Sequence, residues 1–194
     1  MNRRRLLQIL ATLPFAGGLF RSSAAAAATA PFSRVRPGDP QWPSDETWEE
    51  LGRRLEGGLI KVAPPLSAYF GAPSYLVKEI KNPYYLGDET GLTQTLGWVG
   101  AWTSRPSVYA VAAKSTADVA AAVNFARTHN LRLVVKGGGH SFQGTSNAAD
   151  SLLISTRPMN AVVLHDSFVG SGCEGQVAPQ PAVSVEAGAI WEHV

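Results

Sequence analysis

The chain has 194 residues, of which 45% are hydrophobic and 16% charged, which is enough apolar material for one globular core. Four of its 17 basic residues (Arg3, Arg4, Arg5 and Arg21) lie in an N-terminal segment without acidic residues, so the remainder has 13 basic against 15 acidic residues and gives no sign of nucleic-acid binding. The single cysteine, Cys173, excludes an intramolecular disulfide framework.

Residues 1–30 are typical of an export signal. The basic start contains Arg-Arg-x-Leu-Leu over residues 3–7, a moderately apolar stretch follows, and the alanines at 24–28 offer small-residue cleavage sites. This arrangement resembles a twin-arginine signal. The apolar part is shorter than the roughly 20 residues that a membrane-spanning helix needs, so a retained anchor is the weaker alternative. We expect a periplasmic or secreted protein with no membrane association after signal removal.

Residues 31–103 are interpreted as an N-terminal extension. The proline-rich stretch 31–43 predicts a mobile leader. Trp48, Leu51 and Leu55 recur at helical spacing and predict an amphipathic helix over residues 47–59. The aromatic residues between 84 and 102 are expected to bury area between loops.

A strand-helix-strand pattern begins at residue 104. Residues 108–113 predict a strand, and Ser115 is a suitable cap for a helix over 118–129 that has Val119, Val123 and Ala126 on one face. Asn130 suits the left-handed conformation that closes a helix, and a strand over 131–135 follows. A crossover of this length favours parallel pairing of the two strands.

The second strand runs into a loop with three glycines, residues 136–146. Consecutive glycines leave bare backbone N–H groups, which suit a pyrophosphate. The spacing matches neither the dinucleotide-binding fingerprint nor the phosphate-binding P-loop. The loop also differs at only one position from the nucleophile-elbow motif Gly-x-Ser-x-Gly, so a secreted serine hydrolase that uses Ser141 is a minor alternative.

Consecutive strands are predicted beyond the loop, over 152–155, 161–164 and 183–185, which indicates an α+β fold rather than a Rossmann fold.

Asp150 is expected to begin a turn, with a contact to a ribose hydroxyl as the alternative. Cys173 is expected to be an exposed loop thiol. The remaining histidines lack ligand spacing, so no metal site is expected. Residues 190–194 suggest the first turn of a helix without a continuation, which indicates a fragment.

Residues 105–160 resemble the FAD-binding domain of the vanillyl-alcohol oxidase and p-cresol methylhydroxylase (PCMH) superfamily, especially the berberine-bridge-enzyme-like oxidases. The resemblance rests on residues 106–111, 118–129, 137–141 (Gly-Gly-Gly-His-Ser) and 150–154, and more weakly on 183–189. It implies an α+β PCMH-type domain over residues 104–194, with a strand-helix-strand unit and a small mixed sheet, truncated before its second half.

The resemblance also implies the cofactor and its contacts. In this family the histidine after the glycines is commonly bonded to the 8α-methyl group of the flavin, and the adjacent loop holds the pyrophosphate. FAD is therefore expected, with His140 as a covalent anchor or, alternatively, as a polar residue beside a noncovalent flavin. The expected cofactor contacts are Lys136, Gly137, Gly138, Gly139, His140, Ser141, Gly144, Thr145, Ser146 and Gly188.

The expected function is that of an exported FAD-dependent oxidoreductase of the oxidase type. It would act on a small-molecule substrate and pass electrons to oxygen or another acceptor. A non-catalytic, truncated flavin-binding fragment is the alternative. No catalytic base is assigned, and no nucleic-acid partner is expected.

Overall fold

The computed structural model describes residues 33–63, 82–92, 105–141 and 144–193. The expected signal at residues 1–30 lies outside this part of the chain, as do Trp98 and Trp102. The described residues form a four-stranded mixed sheet with helices packed against it, and a two-stranded ribbon. The predicted α+β fold with a small mixed sheet is confirmed.

The predicted elements follow the expected order with some changes in their bounds, and a strand at residues 59–61 and a helix at residues 83–88 are additional. They are α1 (Asp45–Arg53), β1 (Leu59–Lys61), α2 (Pro83–Asp88), β2 (Tyr109–Ala112), α3 (Thr116–Thr128), β3 (Arg132–Lys136), β4 (Ser151–Ser155), β5 (Val162–Phe168), β6 (Gln180–Val185) and a 3-10 helix (Trp191–His193).

The sheet order is β1-β2-β4-β3. β4 pairs in parallel with both β2 and β3, whereas β1 pairs with β2 in antiparallel orientation. The direct pairing expected for the two strands that flank α3 is therefore wrong: β2 and β3 are parallel, but β4 lies between them. The reason is burial, since all five residues of β4 are buried and a central position removes both of its edges from solvent.

Helix α1 is shorter than predicted and starts earlier. The hydroxyl group of Ser44 caps it by accepting the N–H of Thr47, so the helix begins at Asp45. It ends at Arg53 rather than near residue 59, because residues 59–61 form β1 and pair with β2. Its buried Trp48 stacks on Tyr109 of β2, with ring centroids 4.2 Å apart.

The proline-rich stretch is not a free leader over its described part. The N–H of Val35 donates to the carbonyl of Asn130 at 3.0 Å, and the ring of Trp42 lies 5.6 Å from that of Trp48. The expectation of a mobile leader is wrong for residues 33–43, because their apolar side chains pack on the core.

Helix α3 confirms the local signals and corrects the predicted buried face. Ser115 is the N-cap, and Asn130 adopts φ 51° after the helix. Ala122 and Ala126 are buried, but Val123 is 43% exposed. The buried positions recur every four residues, and Val123 lies one residue outside that row.

Strands β5 and β6 form an antiparallel ribbon whose residues are mostly exposed. The loop between them carries Cys173, and this thiol is free and exposed as expected.

A buried carboxylate joins the start of α3 to the turn before β1. The side chain of Asp118 accepts the backbone N–H groups of Glu56 at 2.9 Å, Gly57 at 3.1 Å and Lys114 at 2.9 Å. Burial of Asp118 favours its neutral form, but these donors outweigh that effect and lower the pKa of the carboxyl group.

We predict that Asp118→Asn lowers the unfolding free energy by about 2 kcal/mol at pH 7, because hydrogen bonds to a buried charge are replaced by a neutral amide that fits the donors poorly. The lowered pKa makes the contribution of Asp118 fully present above about pH 4, its unfolded pKa, and lost as the pH falls through the folded value. Urea unfolding of both proteins from pH 7 to pH 3 measures this. The matched control is Asp45→Asn on the exposed start of α1. Parallel pH curves for wild type and Asp118→Asn would contradict the prediction.

Candidate functional site

The glycine loop leaves the carboxyl end of β3, where ligands of α/β sheets commonly bind. β4 ends beside it in parallel register, and the N–H of Thr156 donates to the carbonyl of Lys136 at 2.9 Å. The carboxyl ends of two neighbouring parallel strands therefore meet at this loop.

Gly139 and Gly144 give the loop its shape, since both have φ near +73°. Residues other than glycine rarely adopt this backbone conformation. His140 is exposed, and its ring lies close to the bare α-carbon of Gly138, where an added Cβ would come within 2.8 Å of the ring carbon Cδ2. The glycines thus bring an exposed imidazole against bare main chain.

The hydroxyl groups of the loop bond to each other. The Oγ atoms of Ser141 and Thr145 are 2.6 Å apart, and the Ser141 hydroxyl accepts the N–H of Thr145 at 3.2 Å. Thr145 is exposed, whereas Ser146 is buried. Ser141 therefore helps to close a turn, and this contact gives no support to the hydrolase alternative.

A second segment, residues 82–92, packs directly on the glycine loop; we call it the α2 segment. A Cβ added to Gly87 would lie 2.5 Å from the carbonyl oxygen of Gly138, and one added to Gly139 would lie 3.1 Å from the Cα of Gly87. The two backbones approach so closely because neither carries side chains at the contact. Sequence patterns did not indicate this use of the glycines.

Lys136, one of the expected cofactor contacts, directs its ammonium group at the α2 segment. Nζ donates to the carbonyl groups of Leu86 at 3.4 Å, Leu92 at 3.0 Å and Glu89. The side chain is 1% exposed, and burial lowers its pKa to about 8 against the attraction of Glu89 and Asp88. The ammonium group therefore donates to protein carbonyls, and the cofactor contact of Lys136 stays a prediction.

Two further side chains that sequence patterns did not single out hold the same segment. Asn147 donates to the carbonyl of Thr90 at 2.9 Å, and its own oxygen accepts the N–H of Ser107 at 3.0 Å. Arg157 forms an ion pair with Asp88. Asn147 could have been noticed at the end of the small polar run 144–146, but no local pattern marks Arg157.

Gly188, predicted as a second close approach to the cofactor, faces the turn that follows β4. A Cβ on it would lie 1.9 Å from the carbonyl oxygen of Thr156, so this turn requires glycine there. The neighbouring Ala187 lies beside the loop, since a Cβ on Gly137 would be 3.1 Å from its carbonyl oxygen. The structure thus brings residues 187–188 to the loop, and the cofactor contact of Gly188 stays a prediction.

Asp150 has φ 58° and lies in the turn before β4, which agrees with its expected role in a turn.

Within the described ranges no group of three or more potential metal-ligating side chains occurs. None of the helices in those ranges has the length and apolar character needed to cross a membrane.

The exposed face of the loop fits a flavin dinucleotide in its chemistry. It offers bare main chain, small hydroxyl residues and one exposed imidazole, and Gly87 and Ala187 pack against its glycines. Comparison with known proteins decides the family, because residues 107–194 match the FAD binding domain family. This match, together with the relatives and solved structures below, supports a member of the vanillyl-alcohol oxidase/PCMH superfamily whose cofactor is FAD.

Curated relatives of this superfamily member are FAD-linked oxidoreductases. It is 33% identical over 188 residues to the FAD-linked oxidoreductase easE of Claviceps fusiformis, covering 82% of the chain and 32% of the relative. It is 29% identical over 181 residues to penH of Penicillium thymicola, with coverage of 81% and 31%. The chain therefore spans about a third of the length of these relatives.

Solved structures agree on the fold. The VAO-type flavoprotein MtVAO615 of Myceliophthora thermophila C1 superposes with a TM-score of 0.64 at 25% identity, covering 80% of this chain and 32% of that one. The VAO-type flavoprotein MtVAO713 of the same organism gives a TM-score of 0.66 at 21% identity, with coverage of 77% and 30%. The superfamily match thus favours the flavin hypothesis over a serine hydrolase that uses Ser141.

Proposed function

We propose that this chain is the cofactor-holding part of an exported FAD-dependent oxidoreductase of the oxidase type. The observation that carries the proposal is the bare glycine loop with exposed His140 at the carboxyl end of β3, inside the region that matches the FAD binding domain. The names of the relatives, FAD-linked oxidoreductases, support the same activity. A small molecule is the proposed substrate class, and oxygen or another acceptor is the proposed recipient of the electrons.

The residues of the loop would hold the cofactor in two ways. The main-chain N–H groups around Gly138 and the hydroxyl groups after it are suited to the pyrophosphate. His140 would be the covalent anchor, because its exposed side chain lies beside the bare main chain of Gly138 and an imidazole nitrogen can act as a nucleophile. Bound FAD would supply a two-electron acceptor, which amino-acid side chains lack.

The activity is tested on the full-length protein produced with added riboflavin. We expect a yellow protein whose flavin absorbance near 450 nm is bleached, without oxygen, by at least one member of a panel of small alcohols, amines and reducing sugars, and is restored by air. Protein that emerges without any flavin contradicts the proposal. Bound flavin that no member of the panel bleaches favours the alternative of flavin binding without catalysis.

The covalent anchor is tested by His140→Ala in the full-length protein. Acid precipitation removes noncovalent flavin, so wild type should keep its yellow colour and its fluorescence on a denaturing gel, whereas the variant should lose essentially all of both. His165→Ala is the matched control, since His165 lies on β5 and bonds to Ser184 rather than lying in the loop. Equal retention of flavin by His140→Ala and wild type would refute this anchor.

Export is proposed from the basic start of the chain. Replacing both Arg3 and Arg4 by lysine keeps the charge but removes the twin-arginine pair. We expect this double variant to stay in the cytoplasm of a bacterium with a twin-arginine pathway, while wild type reaches the periplasm or medium. Cell fractionation and immunoblotting measure this, with Arg21→Lys as the control. Unchanged export of the double variant would contradict the assignment.

A further inference from the structure

The α2 segment, residues 82–92, lies outside the region that matches the FAD binding domain, residues 107–194, yet it packs on the loop of that domain. Its contact with Gly138 is backbone against backbone, at a distance that only glycine at position 87 permits. The glycine loop therefore has one face covered by a segment from an earlier part of the chain.

Lys136 is the main side chain that connects the two. It stands at the last position of β3, immediately before the glycines, and it donates to carbonyl groups at three points of the segment: Leu86, Glu89 and Leu92. An ammonium group has three N–H donors, so these three carbonyls match its capacity. These hydrogen bonds, which we call the Lys136 tie, hold the α2 segment to the end of β3, the strand that precedes the glycine loop.

The loop needs such a tie because it contains three consecutive glycines. Glycine loses more backbone freedom on ordering than any other residue, so a free loop of this kind would visit many conformations. Amide groups held in one arrangement bind an anion better than mobile ones, because the cost of ordering has been met before the ligand arrives. Contact with Gly87 removes this freedom at Gly138 and Gly139.

We propose that Lys136 is a positioning residue of the flavin site, which holds the α2 segment against the glycine loop and so keeps the loop in the shape that takes the FAD pyrophosphate. The part of this inference that concerns flavin binding rests on the proposed function. Its structural half, the tie between Lys136, the α2 segment and the loop, is tested without reference to activity.

The first test compares Lys136→Met with wild type in the full-length protein. Methionine keeps the apolar stem but removes all three donors. Hydrogen-deuterium exchange should become at least about tenfold faster in residues 86–92 and 137–141, while β5 and β6 exchange as in wild type, because local opening rather than global unfolding is affected. The FAD content per protein should fall. Lys114→Met, at an exposed lysine, should change neither quantity.

The second test leaves Lys136 intact and separates the two backbones. Gly87→Ala places a Cβ only 2.5 Å from the carbonyl oxygen of Gly138, so the α2 segment and the loop must move apart. We expect the same local rise in exchange and the same loss of FAD. Gly52→Ala is the matched control, because it also lies within a helix and its Cβ would make only an ordinary contact, 3.5 Å from the Cβ of Leu59.

Each result decides between defined outcomes. Unchanged exchange in both segments of either variant overturns the proposal. Faster exchange throughout the chain, or unfolding of both variants, also overturns it, since Lys136 would then support general stability rather than the loop. Faster local exchange with normal FAD content keeps the tie but removes its role for the cofactor. A wild type without flavin instead refutes the proposed function, and the exchange data still decide whether the tie exists.

Discussion

The architecture depends on the central position of β4. All five residues of this strand are buried, and it pairs in parallel with β2 on one side and β3 on the other. Parallel strands end at the same edge of a sheet, so the segments that follow β3 and β4 begin side by side. This places the glycine loop next to Thr156, and through the turn after β4 next to residues 187–188.

Glycine serves two purposes at this edge, and the structure separates them. Gly139 and Gly144 adopt positive φ, which shapes the loop. Gly87 and Gly188 instead allow close backbone packing, against Gly138 and the turn after β4 respectively. Gly87 and Ala187 pack against the glycines of the loop, whereas His140 is exposed there, so the proposed flavin contact is assigned to the surface with His140. The same residue type therefore builds both the support and the binding surface.

The sequence predicted what is encoded locally. The capping signal at Ser115, the left-handed Asn130 and the strand before the glycines follow from neighbouring residues, and all are observed. Strand order does not follow from neighbouring residues, because the position of β4 between β2 and β3 depends on which strand buries most surface. The end of α1 was misplaced for a similar reason, since residues 59–61 are drawn into β1 by pairing with β2. The partners of Lys136 lie 44 to 50 residues away, beyond any local pattern.

The choice of a buried lysine at position 136 is explained by geometry rather than stability. Burial lowers its pKa to about 8, so the charged ammonium is less stable inside the protein than in water despite the nearby Asp88 and Glu89. An apolar side chain of similar volume would avoid that cost but would leave the three carbonyl groups of the α2 segment without this donor. Leu86 and Glu89 lie at the end of α2, where carbonyls lack partners within the helix, and the carbonyl of Leu92 beyond the helix also accepts from Nζ. A single ammonium can satisfy them together, and in doing so it fixes the direction from which the α2 segment meets the glycine loop.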